Sequence, residues 1–280
     1  MNLKPYRLLA CIVIGGLLFT GGIFPTPAHA ETVVRIGGTG SALGTIKLLA
    51  GAYERSHPGV RIQILPSLGI TGGIKALLSG SLDLALASRP LTATEQHQGA
   101  VGVEYARSPF IFISNAKTSK KDLSSMELEN IYAHPAAKWP DGSRIRLVLR
   151  PDKDLSTQIV RSISPAMDQA VTLAMARPGM IMGITDQEAT DIITRTPGAL
   201  GGSTLCEIIS ENRSVNILSF NGVQPSVKTI ADKTYPLFKQ FLIVTTAKSP
   251  SAARYFAEFI RSPAAAAILL KSGNLTTKIK

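Results

Sequence analysis

Two hydrophobic rhythms alternate along the first third of the chain. Val33 to Ile36 is a short β-rich run, and in the stretch Ala42 to Tyr53 the residues Ile46, Leu49 and Tyr53 can share one helical face. Pro58-Gly59 ends that stretch. Val60 to Leu65 reads as a second strand, Gly72 to Leu78 as a short helix, and Leu82 to Ala87 as a third strand. The order βαβαβ predicts a parallel sheet covered by helices. Leu84-Ala85-Leu86-Ala87 is apolar throughout, as a strand buried on both faces should be.

The rhythm changes after Pro90. Val101 to Tyr105 and Phe110 to Ser114 read as consecutive strands leading out of the first unit. A helix is predicted from Ser125 to Tyr132, its serine-then-glutamate order resembling an N-cap. Trp139 to Gly142 is a turn and Ile145 to Leu149 a strand. Asp168 to Arg177 reads as a helix, Met180 to Ile184 as a strand and Gln187 to Thr194 as a helix. Leu237 to Thr245 returns as a strand, and helices follow over Pro250 to Phe259 and Ala264 to Leu270. Two α/β units joined by two strand-like passages predict a hinged pair with a small-ligand cleft between them.

The N-terminus adds an address. Lys4 and Arg7 precede the apolar run Leu8 to Phe24, then Pro25-Thr26-Pro27 and the small-x-small pattern Ala28-His29-Ala30. That order predicts a signal peptide over 1–30, cleaved after Ala30, and a periplasmic mature chain. A retained anchor is the alternative for an apolar run of this length. Cys11 precedes most of the apolar run, so lipid attachment is not expected, and Cys206 is the only cysteine after the cleavage point. Cys206 is read as a buried structural thiol with no disulfide partner in the same chain. The formal charge of +11 is dispersed, which suits attraction of small anions and offers no basic stripe for nucleic acid.

Candidate chemistry lies in the loops after the three early strands. Gly37 to Ser41, Pro66 to Gly73 and Ala87 to Pro90 emerge at one edge of a parallel sheet, where ligands bind. Glycines expose backbone N–H groups, hydroxyls add donors, and the following helix N-termini add a positive field. Thr39, Gly40, Ser41 and Ala42 are candidates in the first loop; Ile70, Thr71 and Gly72 in the second; Ser88 and Arg89 in the third. From the second unit, Arg150 stands past a strand, where a guanidinium can clamp an oxyanion through two parallel hydrogen bonds. Asp154, Leu155, Ser156 and Thr157 follow it, and Ser156 and Thr157 are placed to cap the next helix. The histidines are scattered, so neither a metal site nor a cofactor is expected. No Ser/His/Asp motif argues for a hydrolase.

With these residues in view, the chain resembles the phosphate-binding proteins of bacterial ABC importers. The likeness runs over about 33–275 and is carried by Gly72 to Gly80, Asp83 to Leu91, Leu128 to Tyr132 with Lys138-Trp139, and Phe256 to Pro263. It implies the type II two-lobed periplasmic binding protein fold, each lobe a mostly parallel sheet flanked by helices. The lobes would be 31–112 plus 241–280 and 113–240. It also implies a non-enzymatic monomer that presents an oxyanion to a membrane permease. Ser41 and Thr71 match family hydroxyls, and Arg150 matches the family arginine, with Ser156 on a threonine position. Ile70 replaces another hydroxyl, Ser88 replaces an aspartate that accepts the ligand proton, and Leu155 replaces a glycine. Asp154 is then a candidate for the missing acceptor. Phosphate leads as ligand, with molybdate, tungstate or sulfate as alternatives, and a ligand sensor or adaptor without a transport role as another.

Overall fold

The computed structural model describes Met1 and residues 31–277, so the expected signal peptide and its cleavage point lie outside the described residues. Contacts divide the chain into Met1–Ala30 and a compact unit, Glu31–Lys280, which carries every feature below.

That unit opens with β1 (Thr32–Gly38), α1 (Gly40–Ser56), β2 (Val60–Ile64), α2 (Gly69–Leu78) and β3 (Leu84–Ala87). The three strands are parallel in the order β2-β1-β3. α1 forms because Ala42, Ile46, Leu49, Ala50 and Tyr53 recur on one face and are all buried against the sheet. All four residues of β3 are buried, as its unbroken apolar run requires. α3 (Ala93–His97) follows, closed at its start by a reciprocal cap between Thr92 and Glu95.

β4 (Val101–Asn115) is one strand of 15 residues where the sequence predicts two. Up to Pro109 it pairs antiparallel with β10 (Phe238–Thr245); from Phe110 onward it pairs with β8 (Ala199–Thr204) and then also β9 (Val215–Phe220). Proline has no N–H for a ladder, and it stands where the strand exchanges partners. The two apolar runs therefore belong to one element with two sets of neighbours.

The rest of the chain builds a second α/β unit. β5 (Asp122–Leu123) precedes α4 (Ser125–Ala133), whose cap is Ser124, with Glu127 reciprocating, one residue before the predicted start. β6 (Arg146–Leu149) leads to α5 (Leu155–Arg161) and α6 (Pro165–Met175), the latter capped by Ser164 with proline in its first turn. β7 (Ile181–Met182), α7 (Asp186–Arg195), β8, α8 (Leu205–Ser210), β9 and α9 (Val227–Ala231) follow. The chain returns through β10 and ends in α10 (Ser251–Ile260), α11 (Pro263–Lys271) and β11 (Leu275–Thr276). The sheet is mixed: β6 is parallel to β7 and β8, but β4 and β10 run antiparallel to each other, β10 to β3, and β4 to β8 and β9. A mostly parallel description holds only for the outer strands.

Two apolar cores flank the exchange point in β4. One gathers Val34, Ile36, Leu84, Phe241 and Phe256 around α1, and the other gathers Phe110, Phe112, Leu149, Met167 and Leu218. β10 feeds both, since Leu237 just before it packs into the second core and Phe241 into the first. Cys206, on α8, joins the first core, so α8 binds this stretch of the chain to α1. Among the described residues no helix is long and apolar enough to cross a membrane.

Candidate functional site

The loop after β1 reaches α1 through Gly38, whose φ of 137° only glycine adopts readily. Thr39 is the N-cap of α1 but makes no side-chain cap bond. Its hydroxyl lies 3.3 Å from Ser41 Oγ and 3.2 Å from Ser88 Oγ, and all three residues are buried. The first and third predicted loops thus converge on one cluster of hydroxyls. Ala42, a candidate in the same loop, packs into the core beneath α1.

Other candidates are placed differently. α2 begins at Gly69, Thr71 is exposed in its first turn, and Ile70 packs on an apolar cluster with Ile74 and Leu77. Gly72 follows within α2. Arg89 offers no free fork: Nη1 and Nη2 donate to the two carboxylate oxygens of Glu95 at 2.9 and 2.8 Å. That guanidinium and burial act in opposite senses on Glu95, and the guanidinium wins, holding the carboxyl at about 2.

Arg150 is 7% exposed and its fork is directed within its own unit. Nη1 donates to Gly183 O at 2.7 Å and Nη2 to Asp154 Oδ2 at 2.7 Å, while Nε has no partner among the described residues. Asp154, not Ser156 or Thr157, caps α5: its Oδ1 accepts from Ser156 N–H at 2.8 Å. Thr157 Oγ1 instead donates to Arg150 O at 3.0 Å. Leu155 starts α5 half-buried. Asp154 is committed to Arg150 and to its own helix, so it does not stand free as the missing acceptor. Ser88, whose hydroxyl meets Thr39, carries no carboxylate to supply one either.

Two residues that the sequence reading did not single out join the halves of the site. Asp186 opens α7, and its Oδ2 accepts from Ser41 N–H in the first turn of α1 at 3.1 Å. Its Oδ1 accepts from Lys239 Nζ at 3.0 Å and lies 4.0 Å from Arg150 Nη2. Lys239, on β10, is 2% exposed. Burial alone would raise the Asp186 carboxyl, but Lys239 and then Arg150 hold it below the ordinary carboxylate range. A backbone amide, an ammonium and a guanidinium therefore surround one carboxylate, at the positive end of α1.

Glu207 is the second acid drawn into this network. It is fully buried, and its two oxygens accept from Thr190 Oγ1 at 2.7 Å and Ser203 Oγ at 3.0 Å. Burial, reinforced by the charge of Asp186, raises its pKa from 4.5 to about 7. The folded chain thus holds this proton more tightly than the unfolded chain does. The stabilisation is complete below about 4.5 and is lost as pH rises through about 7. Glu207→Gln is expected to flatten the pH dependence of the melting temperature across that window. Melts at stepped pH that show parallel curves for both proteins would refute the assignment.

Among the described residues no group of three or more His, Cys, Asp or Glu is placed to hold a metal ion. A cavity of about 1390 Å³ lies beside α1 and β2 and is lined in part by Ser67 and Gln187, but the hydroxyl cluster does not line it. Two α/β cores joined by long strands, with polar groups from both meeting near helix N-termini, are the architecture of the type II periplasmic binding protein fold. The family model described as the PBP superfamily domain matches residues 25–264, and the chain belongs to that superfamily. It is 24% identical over 259 residues to the phosphate-binding protein PstS of Borreliella burgdorferi, covering 89% of this chain and 91% of that one. A segment of 111 residues is 29% identical to phosphate-binding protein PstS 2 of Streptococcus agalactiae; that match spans 40% of this chain and only 38% of the relative. Among solved structures, one described as a phosphate ABC transporter substrate-binding protein from Clostridium perfringens, with bound phosphate, superposes with a TM-score of 0.75. It is 22% identical and covers 88% of this chain and 100% of that one.

Proposed function

We propose that this chain is an exported receptor for a small oxyanion, with phosphate the leading ligand. It would work as the solute-binding component of an ABC importer, holding the anion between lobes 31–112 plus 241–280 and 113–240 without transforming it. A signal peptide cleaved after Ala30 would deliver it to the periplasm. One observation carries the reading: the Ser41 amide and Lys239 ammonium already hold a carboxylate oxyanion, with Arg150 close by. These are the donor types that recognise phosphate-like anions. Its similarity to phosphate-binding proteins favours phosphate among such anions.

A specific departure keeps a second ligand class in play. Ser88 stands where the resemblance implies an aspartate that accepts the proton of monohydrogen phosphate. Without it, a receptor of the same fold for molybdate, tungstate or sulfate is the alternative.

Calorimetric titration of anion-stripped protein, residues 31–280, decides between them. The expected result is one-to-one binding of phosphate, with sulfate, molybdate and tungstate weaker. Binding of another oxyanion in place of phosphate would transfer the assignment to the second class. Heat from none of the four would overturn the oxyanion reading in favour of a sensor or adaptor.

A further inference from the structure

We propose that Asp186 is a built-in competitor of the ligand, and that an incoming oxyanion binds by displacing its carboxylate from the Ser41 amide and the Lys239 ammonium. This rests on the oxyanion reading above and specifies how that site is filled and emptied.

The carboxylate is not held in place by the needs of its own helix. α7 is already capped, with Thr185 Oγ1 accepting from Glu188 N–H at 3.1 Å and Glu188 Oε2 accepting from Ile184 N–H at 2.7 Å. Asp186 reaches away from that cap to the first turn of α1, a helix of 17 residues, and to β10. Helix α1 contributes the positive end of its dipole and β10 a buried cation, so this carboxylate occupies the position an external anion would seek.

Donors outnumber the acceptors that Asp186 supplies. Among the described residues Asp186 is the sole hydrogen-bond acceptor of Lys239 Nζ, although an ammonium carries three hydrogens. Arg150 Nε, on a side chain more than nine-tenths buried, has no partner among the described residues. A carboxylate presents two oxygens, whereas a tetrahedral oxyanion presents four around one centre. The second ligand is therefore the better match to an amide, an ammonium and a guanidinium arriving from three elements.

Gln187 completes the closed arrangement. Its Nε2 donates to Gly40 O at 2.7 Å and to Glu211 Oε1 at 3.1 Å, leaving its Oε1 buried without a partner among the described residues. The contact depends on glycine at 40, because a Cβ there would lie 2.3 Å from Gln187 Oε1 and 3.0 Å from Asp186 Oδ2. An unsatisfied buried acceptor weakens this contact relative to an open form in which water reaches it. The first turn of α7 thus presses on the first turn of α1 through one strong contact and one poorly satisfied one.

Asp186→Asn tests the competitor. It keeps the shape and removes the charge, and phosphate affinity by calorimetry is expected to rise roughly 10- to 100-fold. Small-angle scattering of the anion-free variant should show a larger radius of gyration than wild type, contracting when phosphate is added. Gln187→Ala, which leaves every charge in place, should raise affinity less but in the same direction. It decides the question if Asp186→Asn does not fold. Equal or weaker phosphate binding in the folded variant, with wild type binding, would overturn the competitor and leave the oxyanion reading intact. No binding of any tested oxyanion by wild type or by either folded variant would overturn the oxyanion reading itself.

Discussion

Replacing Lys239 by alanine is expected to cost the folded chain about 3–5 kcal/mol, because it leaves a buried carboxylate without its nearest cation. Lys239 is 2% exposed, and its ammonium lies 3.0 Å from Asp186 Oδ1 and 6.0 Å from the centre of the Phe110 ring. What remains for Asp186 is one amide hydrogen bond from Ser41 and a guanidinium at 4.0 Å. The sign with pH follows from the same contacts. In wild type the cations hold Asp186 below its ordinary value, against the pull of burial. Without Lys239 that pull gains, the folded-state pKa rises, and the penalty applies above it and fades as pH falls. Urea denaturation at neutral and acid pH should therefore show a deficit that shrinks on acidification. Pairing Lys239→Met with Asp186→Asn should be less damaging than the sum of the single changes, since the two groups interact directly. An unchanged denaturation midpoint in Lys239→Ala would show that the pair contributes nothing to stability.

Gly38→Ala should be at least as damaging, at about 4 kcal/mol or more, through backbone geometry instead of charge. Gly38 has φ 137°, and a Cβ there would lie 2.1 Å from the carbonyl oxygen of Leu86, its partner across the β1–β3 ladder. The same oxygen accepts from Thr39 N–H at 3.0 Å. Moving either strand to make room would also shift Thr39 and Ser88 out of the hydroxyl cluster. Gly37→Ala is the control: its Cβ would meet only methyl groups of Leu68 and Leu82, nearest at 3.3 Å, which can rotate aside. Soluble yield and melting temperature compare the two. A Gly38→Ala protein as stable as Gly37→Ala would refute the argument.

The first five elements were readable because local patterns decide them. The apolar faces of α1 and the β3 run are periodic within a dozen residues, and packing agrees with them. Val101 to Tyr105 and Phe110 to Ser114 read as two strands because the residues between them, up to Pro109, break the apolar run. That they form one strand rests on a change of partner there, which is a property of the whole sheet. The stretch from β8 to α9 was not assigned for a related reason. Gly201 and Gly202 give no strand signal, yet side chains there would collide with Ile193 and Phe110, at 2.7 and 2.4 Å. At the site, Thr39, Ser41 and Ser88 were visible because loops after parallel strands share one edge. Asp186 and Lys239 were not. An acid in the first turn of a helix looks like a partner for its own dipole, and Lys239 in Phe238-Lys239-Gln240-Phe241 looks like the wet face of a strand. Their contacts span 145 residues to Ser41 and 53 between themselves, beyond any local pattern.

Cys206 gives the molecule a natural clock. It is the only cysteine after residue 30, lies fully buried on α8, and donates through Sγ to Ser41 O at 3.3 Å. Burial raises its thiol to about 11, so at neutral pH the reactive thiolate is scarce while α8 stays against α1. A thiol reagent can therefore modify Cys206 only as fast as that seam parts. The rate of labelling counts separations at the first turn of α1, with no probe introduced, and any ligand that tightens this turn should lengthen the interval between them.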